Sequence, residues 1–261
     1  MPVRKFFILT DLEGVAGTDS FTQTRTADLE MKKPSMKQLA REVNACAEGI
    51  RSVYPDAVID VLDGHGSGGL FPEDIQGCRY LDPKSGQKPW HNLAGYSALL
   101  FVGQHAMAGT INAPLCHTFN SRKIMYYRLN GVFIGEFAAH ALQAGYWNVP
   151  TIFLSGDDKA ALEAKLFVPE IETVVTKYGK GLEKAEHLDP EEACRNIREG
   201  AARAVRRMYE IPPFTAIKPP YELEVRFYEP LEEAVKNREG IELVDERTYR
   251  IVTDDLFKLP M

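Results

Sequence analysis

Lys5-Phe6-Phe7-Ile8-Leu9-Thr10-Asp11-Leu12-Glu13-Gly14 is an apolar run of strand length that stops abruptly on two carboxylates and a glycine. The same grammar returns twice. Ala57-Val58-Ile59-Asp60-Val61-Leu62 runs into Asp63-Gly64-His65-Gly66, and Ala98-Leu99-Leu100-Phe101-Val102 runs into Gly103-Gln104-His105. Nearly continuous apolar strands suit a sheet covered on both faces, because a half-exposed strand would alternate. Between the first two lies residues 35–54, where Leu39, Val43, Cys46 and Ile50 recur at the helical period behind Ser35 as N-cap. Strand, helix, strand predicts a βαβ unit. The fold class is therefore α/β, a mainly parallel sheet sandwiched by helices.

Working outward, Asn130-Gly131 separates strand-like runs at 123–129 and 132–134, a hairpin signal. Residues 135–145 form an alanine-rich helical stretch, and Thr151-Ile152-Phe153-Leu154 reads as another buried strand. Asp157 or Asp158 caps a helix over 159–167. Asp189-Pro190-Glu191-Glu192 combines cap, first-turn proline and acidic first turn, opening a helix that runs to Tyr209 before Pro212-Pro213. Residues 221–227 and 248–252 alternate like half-exposed strands. The expected organisation is an α/β catalytic core over 1–184 that carries a metal site, with a smaller C-terminal α+β subdomain over 185–261 packed on it.

Composition narrows the partners. The 261 residues are 44% hydrophobic and 26% charged, which rules out wholesale disorder. A formal charge of −6 argues against a general nucleic-acid binder. No apolar run approaches the ~20 residues that span a bilayer. Arg4-Lys5 before Phe6-Phe7-Ile8-Leu9 imitates a secretion signal, but Asp11 cuts the run short of the roughly 7–15 apolar residues required. The expectation is a cytoplasmic protein with no membrane partner. Cys46, Cys78, Cys116 and Cys194 are scattered, forming neither a zinc knuckle nor a disulfide framework.

In an open parallel sheet, ligands bind beyond the carboxyl ends of the strands. Three strands here end in Asp11 and Glu13, in Asp63 and His65, and in His105. Asp11 and Glu13 project to the same side of an extended chain, and two carboxylates held together in a low-dielectric cleft call for a divalent cation. Carboxylates with neutral imidazoles favour Zn²⁺, or a neighbour such as Mn²⁺ or Co²⁺. More than three candidate ligands suggests two ions bridged by one carboxylate. Glu136, opening the helix behind the hairpin, completes the set. His117 follows Cys116, but neighbours in a strand face opposite ways, so a proton shuttle or oxyanion stabiliser fits His117 better than a Cys-His nucleophile pair. His91, His140 and His187 read as structural or surface residues.

These motifs carry a resemblance. Thr10-Asp11-Leu12-Glu13-Gly14-Val15-Ala16-Gly17, Asp63-Gly64-His65, Gly103-Gln104-His105-Ala106, Cys116-His117-Thr118, Gly135-Glu136 and Ser155-Gly156-Asp157-Asp158 resemble, in order and separation, the zinc-dependent D-aminopeptidases of the DppA type. The likeness covers about residues 3–165 and is loose beyond. It implies that Asp11 bridges two zinc ions per chain, with Glu13, His65, His105 and Glu136 as the other ligands and His117 as the catalytic histidine. It also implies a dinuclear zinc aminopeptidase that removes N-terminal, D-configured residues from short peptides, assembled as a homo-oligomeric ring of ten. Two rivals stand beside it. One is a Mg²⁺-dependent phosphatase of the haloacid-dehalogenase type, whose nucleophile loop Asp11-Leu12-Glu13-Gly14 mimics. The other is a non-catalytic binding protein that retains a metal site.

Overall fold

In the computed structural model, which describes residues 3–83 and 88–261, the first apolar run is strand β1 (Lys5–Thr10), with Phe6, Phe7 and Ile8 wholly buried. A short helix α1 (Phe21–Thr24) and the long α2 (Leu29–Val53) lead to β2 (Val58–Asp63), β3 (Arg79–Leu81) and β4 (Ala98–Gln104). The hairpin β5 (Ile124–Leu129) and β6 (Val132–Ile134) precedes α3 (Glu136–Tyr146), β7 (Thr151–Asp157) and α4 (Asp158–Phe167). Then follow β8 (Glu172–Gly181), β9 (Lys184–His187), α5 (Pro190–Arg206), β10 (Tyr221–Phe227), β11 (Ile241–Asp245) and β12 (Thr248–Thr253).

The main sheet has the order β3-β2-β1-β4-β7-β8-β9, parallel except for β9. Helix α2 packs with α5 and α3 with α4, and these pairs cover the sheet. That coverage is why β1, β4 and β7 read as unbroken apolar runs: burying each Phe or Leu on either face contributes roughly 1.5–3 kcal/mol. A second, antiparallel sheet runs β11-β12-β10-β5-β6. It joins strands of the last forty residues to the hairpin from mid-chain, with Tyr127 opposite Val225. Among the described residues no helix is long and apolar enough to cross a membrane.

Helix α2 starts six residues before the expected N-cap. Pro34 reads as a boundary, yet it lies inside the helix, whose cap is Asp28 accepting from the Glu30 N–H at 3.0 Å. An interior proline costs about 3 kcal/mol. Tertiary contact holds the first turn in place: Lys32 is buried, and its ammonium donates to the carbonyl and hydroxyl of Ser67 at 3.1 and 2.7 Å. Ser35, freed from capping, receives a hydrogen bond from the Thr18 hydroxyl at 2.7 Å.

Strand β2 lies on one side of β1 and β4 on the other, so the winding reverses at β1. Such a reversal opens a crevice at the carboxyl ends. The three chain segments leaving β1, β2 and β4 meet there.

Candidate metal centre

Close backbone approach sets the crevice. The Gly14 N–H donates to the Gly103 carbonyl at 2.7 Å, and the Asp11 N–H to Val102 at 2.9 Å. A Cβ on Gly14 would sit 2.1 Å from the Gln104 carbonyl oxygen. One on Gly103, at φ +80°, would sit 2.1 Å from that of Asp11. Only glycine permits this spacing.

Asp11 lies between two imidazoles. Its Oδ1 is 3.1 Å from His65 Nδ1, and its Oδ2 is 3.0 Å from His105 Nε2. Glu13 Oε2 is 3.0 Å from the same His65 nitrogen. Glu136 Oε1 lies 3.6 Å from His105 Nε2 and 3.9 Å from His117 Nε2, and accepts from the Phe119 N–H at 2.6 Å. Potential donor atoms therefore fall into two groups, Asp11 with Glu13 and His65, and His105 with His117 and Glu136, each within a 4.8 Å span. All six expected residues converge here, although 125 positions separate the first from the last.

The histidines share one device. His65 Nε2 is 3.0 Å from the Thr24 carbonyl, His105 Nδ1 is 2.9 Å from that of Ala106, and His117 Nδ1 is 2.9 Å from that of Leu115. A carbonyl only accepts, so these nitrogens carry the hydrogen, and the other nitrogen of each neutral ring presents a lone pair to the carboxylates. Lone pair facing lone pair is repulsive unless a proton or a cation lies between. Glu13 Oε2 and His105 Nε2 are buried, and neither makes a hydrogen bond despite short separations. Oriented, buried nitrogen and oxygen donors that converge are what a divalent cation requires, and the backbone anchors are the outer shell that fixes ligand tautomers. The donor set fits.

Protonation tells the same story. Burial would raise the Glu13 carboxyl, but His65 beside it holds it well below the ordinary value. Asp11 and Glu136 are likewise lowered against burial, chiefly by His105. Burial works against the charged imidazoles, yet Glu13 and Asp11 hold His65, and Asp11 and Glu136 hold His105, well above the usual histidine range. Without a metal, protons compensate the carboxylates. His117 goes the other way: burial, then repulsion from His105, push it down.

A cavity of about 460 Å³ opens onto the cluster, and His117 lines it while His105 lies behind. His117 sits between two residues in left-handed backbone, Leu115 at φ 55° and Phe119 at φ 56°. Bulky side chains adopt this region only under tertiary constraint, and here it aims the Phe119 N–H at Glu136. Cys116 does not line the cavity; its thiol contacts the Thr110 carbonyl at 3.6 Å.

Several supporting residues lie outside the expected ligand set. Lys177 on β8 is wholly buried, and its ammonium donates to the carbonyls of Glu13 and Thr18 and, at 3.1 Å, Val15. Asp63 braces the glycine loop through the N–H groups of Gly69 and Leu70, at 2.7 and 3.0 Å. Glu163 accepts from the Met107 N–H at 2.7 Å. His187, expected as structural or surface, receives the Gly17 N–H at 3.0 Å. A lysine in a strand gives no local signal of burial, and the carbonyls it serves lie about 160 residues away along the chain, so the sequence around Lys177 does not disclose it.

Comparison with known proteins agrees with the geometry. A family model described as D-aminopeptidase matches residues 4–260. A D-aminopeptidase of Bacillus subtilis (strain 168) is 28% identical over 220 residues, covering 81% of this chain and 77% of the relative. The fold superposes on the solved Zn-dependent D-aminopeptidase DppA from Bacillus subtilis, described as a self-compartmentalizing protease. That match has a TM-score of 0.87 and 22% identity, over 97% of this chain and 92% of the other.

Proposed function

The chain belongs to the D-aminopeptidase family of peptide hydrolases, and from that membership we propose a dinuclear zinc aminopeptidase that releases N-terminal D-residues from short peptides. The observation that carries the reading is Asp11, whose two oxygens face two different imidazoles at 3.1 and 3.0 Å. Asp11 would hold both ions, Glu13 and His65 one of them, and His105 and Glu136 the other. Zinc, when bound, polarises a scissile carbonyl and lowers the pKa of water toward roughly 7.

The remaining chemistry is His117's. Its Nδ1–H is tied to Leu115, so Nε2 is free to accept a proton at neutral pH and to return it to the departing amine. Its place on the cavity wall, stacked in front of His105, supports a role toward the substrate. The phosphatase rival has no use for two oriented imidazoles beside its aspartate.

A homo-oligomer, a ring of ten enclosing the active sites, is part of the proposal. It rests on the relative described as self-compartmentalizing and on apolar side chains left at the surface, such as Ile111 and Leu166. Light scattering reads it directly.

The deciding experiment measures zinc per chain together with hydrolysis of matched D- and L-aminoacyl dipeptides. About two zinc ions per chain, with D-selective cleavage abolished by chelation and restored by zinc, is expected. Cleavage indifferent to chelation, or Mg²⁺-dependent phosphatase activity instead, would overturn the assignment.

A further inference from the structure

The cavity that exposes Asp11, Glu13 and His117 is also lined by Arg25 and Arg122. Two guanidiniums beside an anionic cluster need an explanation. Many arginines of this chain are paired, Arg79 with Asp60, Arg128 with Glu224, Arg226 with Asp245 and Arg250 with Glu242, at 2.6 to 2.8 Å. Among the described residues, neither Arg25 nor Arg122 has a carboxylate partner or a side-chain hydrogen bond. Arg25 Nε is buried without an acceptor, its guanidinium lying over the Phe21 ring. Glu183, whose field reaches Arg25, is committed to the N–H of Phe21 at 2.7 Å.

Both arginines are placed by their local backbone. Arg25 caps α1, its N–H donating to the Phe21 carbonyl at 2.8 Å. Arg122 lies in a turn where Asn120 Oδ1 accepts the N–H groups of Arg122 and Lys123, each at 3.0 Å. Burial first, and then repulsion from Arg122, weaken Arg25's hold on its proton, while Glu13 opposes them. The carboxylates of Asp11, Glu13 and Glu136 in the same cavity are turned to the imidazoles, which leaves the two guanidiniums to hold an anion.

We propose that Arg25 and Arg122 form a carboxylate subsite for the residue that leaves on hydrolysis. This rests on the aminopeptidase reading. A peptide with its scissile carbonyl at the cluster has its next backbone carboxyl one residue on, about 3.3–3.6 Å further along an extended chain. In a dipeptide that group is the free C-terminus, and guanidinium is the side chain best matched to a carboxylate. The cavity, about 460 Å³, is of small-ligand size. An acidic side chain on the leaving residue offers the same chemistry, so the test separates the two.

Zinc-loaded enzyme is assayed on D-alanyl-D-alanine, on its C-terminal amide, and on D-alanyl-D-glutamic acid α-amide. The wild type should favour a carboxylate-bearing substrate over the plain amide by about tenfold to a hundredfold in kcat/KM, the range of one charge-assisted pair. In Arg25→Gln and in Arg122→Gln that preference should collapse, mostly through KM, with zinc content unchanged. Arg122→Lys should recover part of it. Which carboxylate confers the preference identifies the C-terminus or the side chain as the source. Equal rates on all three substrates, or variants that retain the wild-type preference, would overturn the subsite. Hydrolysis of none of the three by the wild type would instead remove the aminopeptidase reading and the subsite with it. Arg122 is exposed, so its variant tests the proposal even where Arg25→Gln folds poorly.

Discussion

The imidazole of His117 lies stacked on that of His105, ring centroids 3.9 Å apart and planes 17° from parallel. One ring faces the carboxylates through Nε2; the other covers it on the side of the cavity. Stacking lets the second ring be placed by packing rather than by coordination, and charge on His105 disfavours charge on His117. A proton acceptor held neutral beside a cation site is the consequence.

His117→Ala should therefore leave zinc content near that of the wild type while lowering kcat by about 10² to 10⁴-fold. Elemental analysis and steady-state rates on one sample check both parts. Loss of zinc in this variant would make His117 a ligand.

Asp11→Ala removes the side chain common to both donor groups. Zinc and turnover should be lost together, with kcat/KM down by at least about 10³-fold and the fold retained by circular dichroism. Full zinc occupancy would count against a bridging role.

Gly103→Ala asks whether backbone crowding matters. The substitution adds about 1–2 kcal/mol of left-handed strain and drives a Cβ against the Asp11 carbonyl. A melting temperature lowered by several degrees and weakened zinc binding are expected. Gly66→Ala is the control: open space surrounds its Cβ, so stability should hold within about 0.5 kcal/mol.

Lys177→Met keeps much of the volume and removes the ammonium that gathers the carbonyls of Glu13, Val15 and Thr18. Three buried acceptors lose their donor, at about 1–3 kcal/mol each at most. Zinc affinity, read by chelator competition, should fall about 10- to 100-fold, as for loss of other outer-shell supports. Wild-type affinity would reduce Lys177 to a purely structural role.

Glu42 carries a pH dependence of its own. It is wholly buried on α2, and burial raises its carboxyl from an ordinary value of 4.5 to about 7, against hydrogen bonds from the Ala16 N–H and Gln38. The folded pKa exceeds the unfolded one, so the stabilisation is complete below pH 4.5 and is lost as pH rises through about 7. The amount is roughly 3 kcal/mol. Urea unfolding of metal-free protein at pH 5 and pH 8 should show a smaller decline for Glu42→Gln, which remains neutral throughout. Equal declines would rule out this linkage.

Local pattern was sufficient for much of this protein. Apolar runs of strand length announce β1, β2, β4 and β7 because both sheet faces are covered; Asn130-Gly131 marks the hairpin because a tight turn needs left-handed backbone. Asp11, Glu13, His65 and His105 could be nominated because strand ends and chemistry coincide there. Tertiary contact decided the rest. The Lys32–Ser67 bond carried α2 past Pro34, and the polar run of β8 concealed a buried lysine because nothing within ten residues discloses what lies beneath it. The pairing of β5 with β10 joins segments almost a hundred residues apart. Arg25 and Arg122 are ordinary surface-like arginines in the sequence. Periodicity and turn chemistry act between neighbours and so leave a trace in the amino-acid order; shared cavities, lone-pair orientation and unpaired charge arise between residues distant along the chain, and only folding brings them within range of one another.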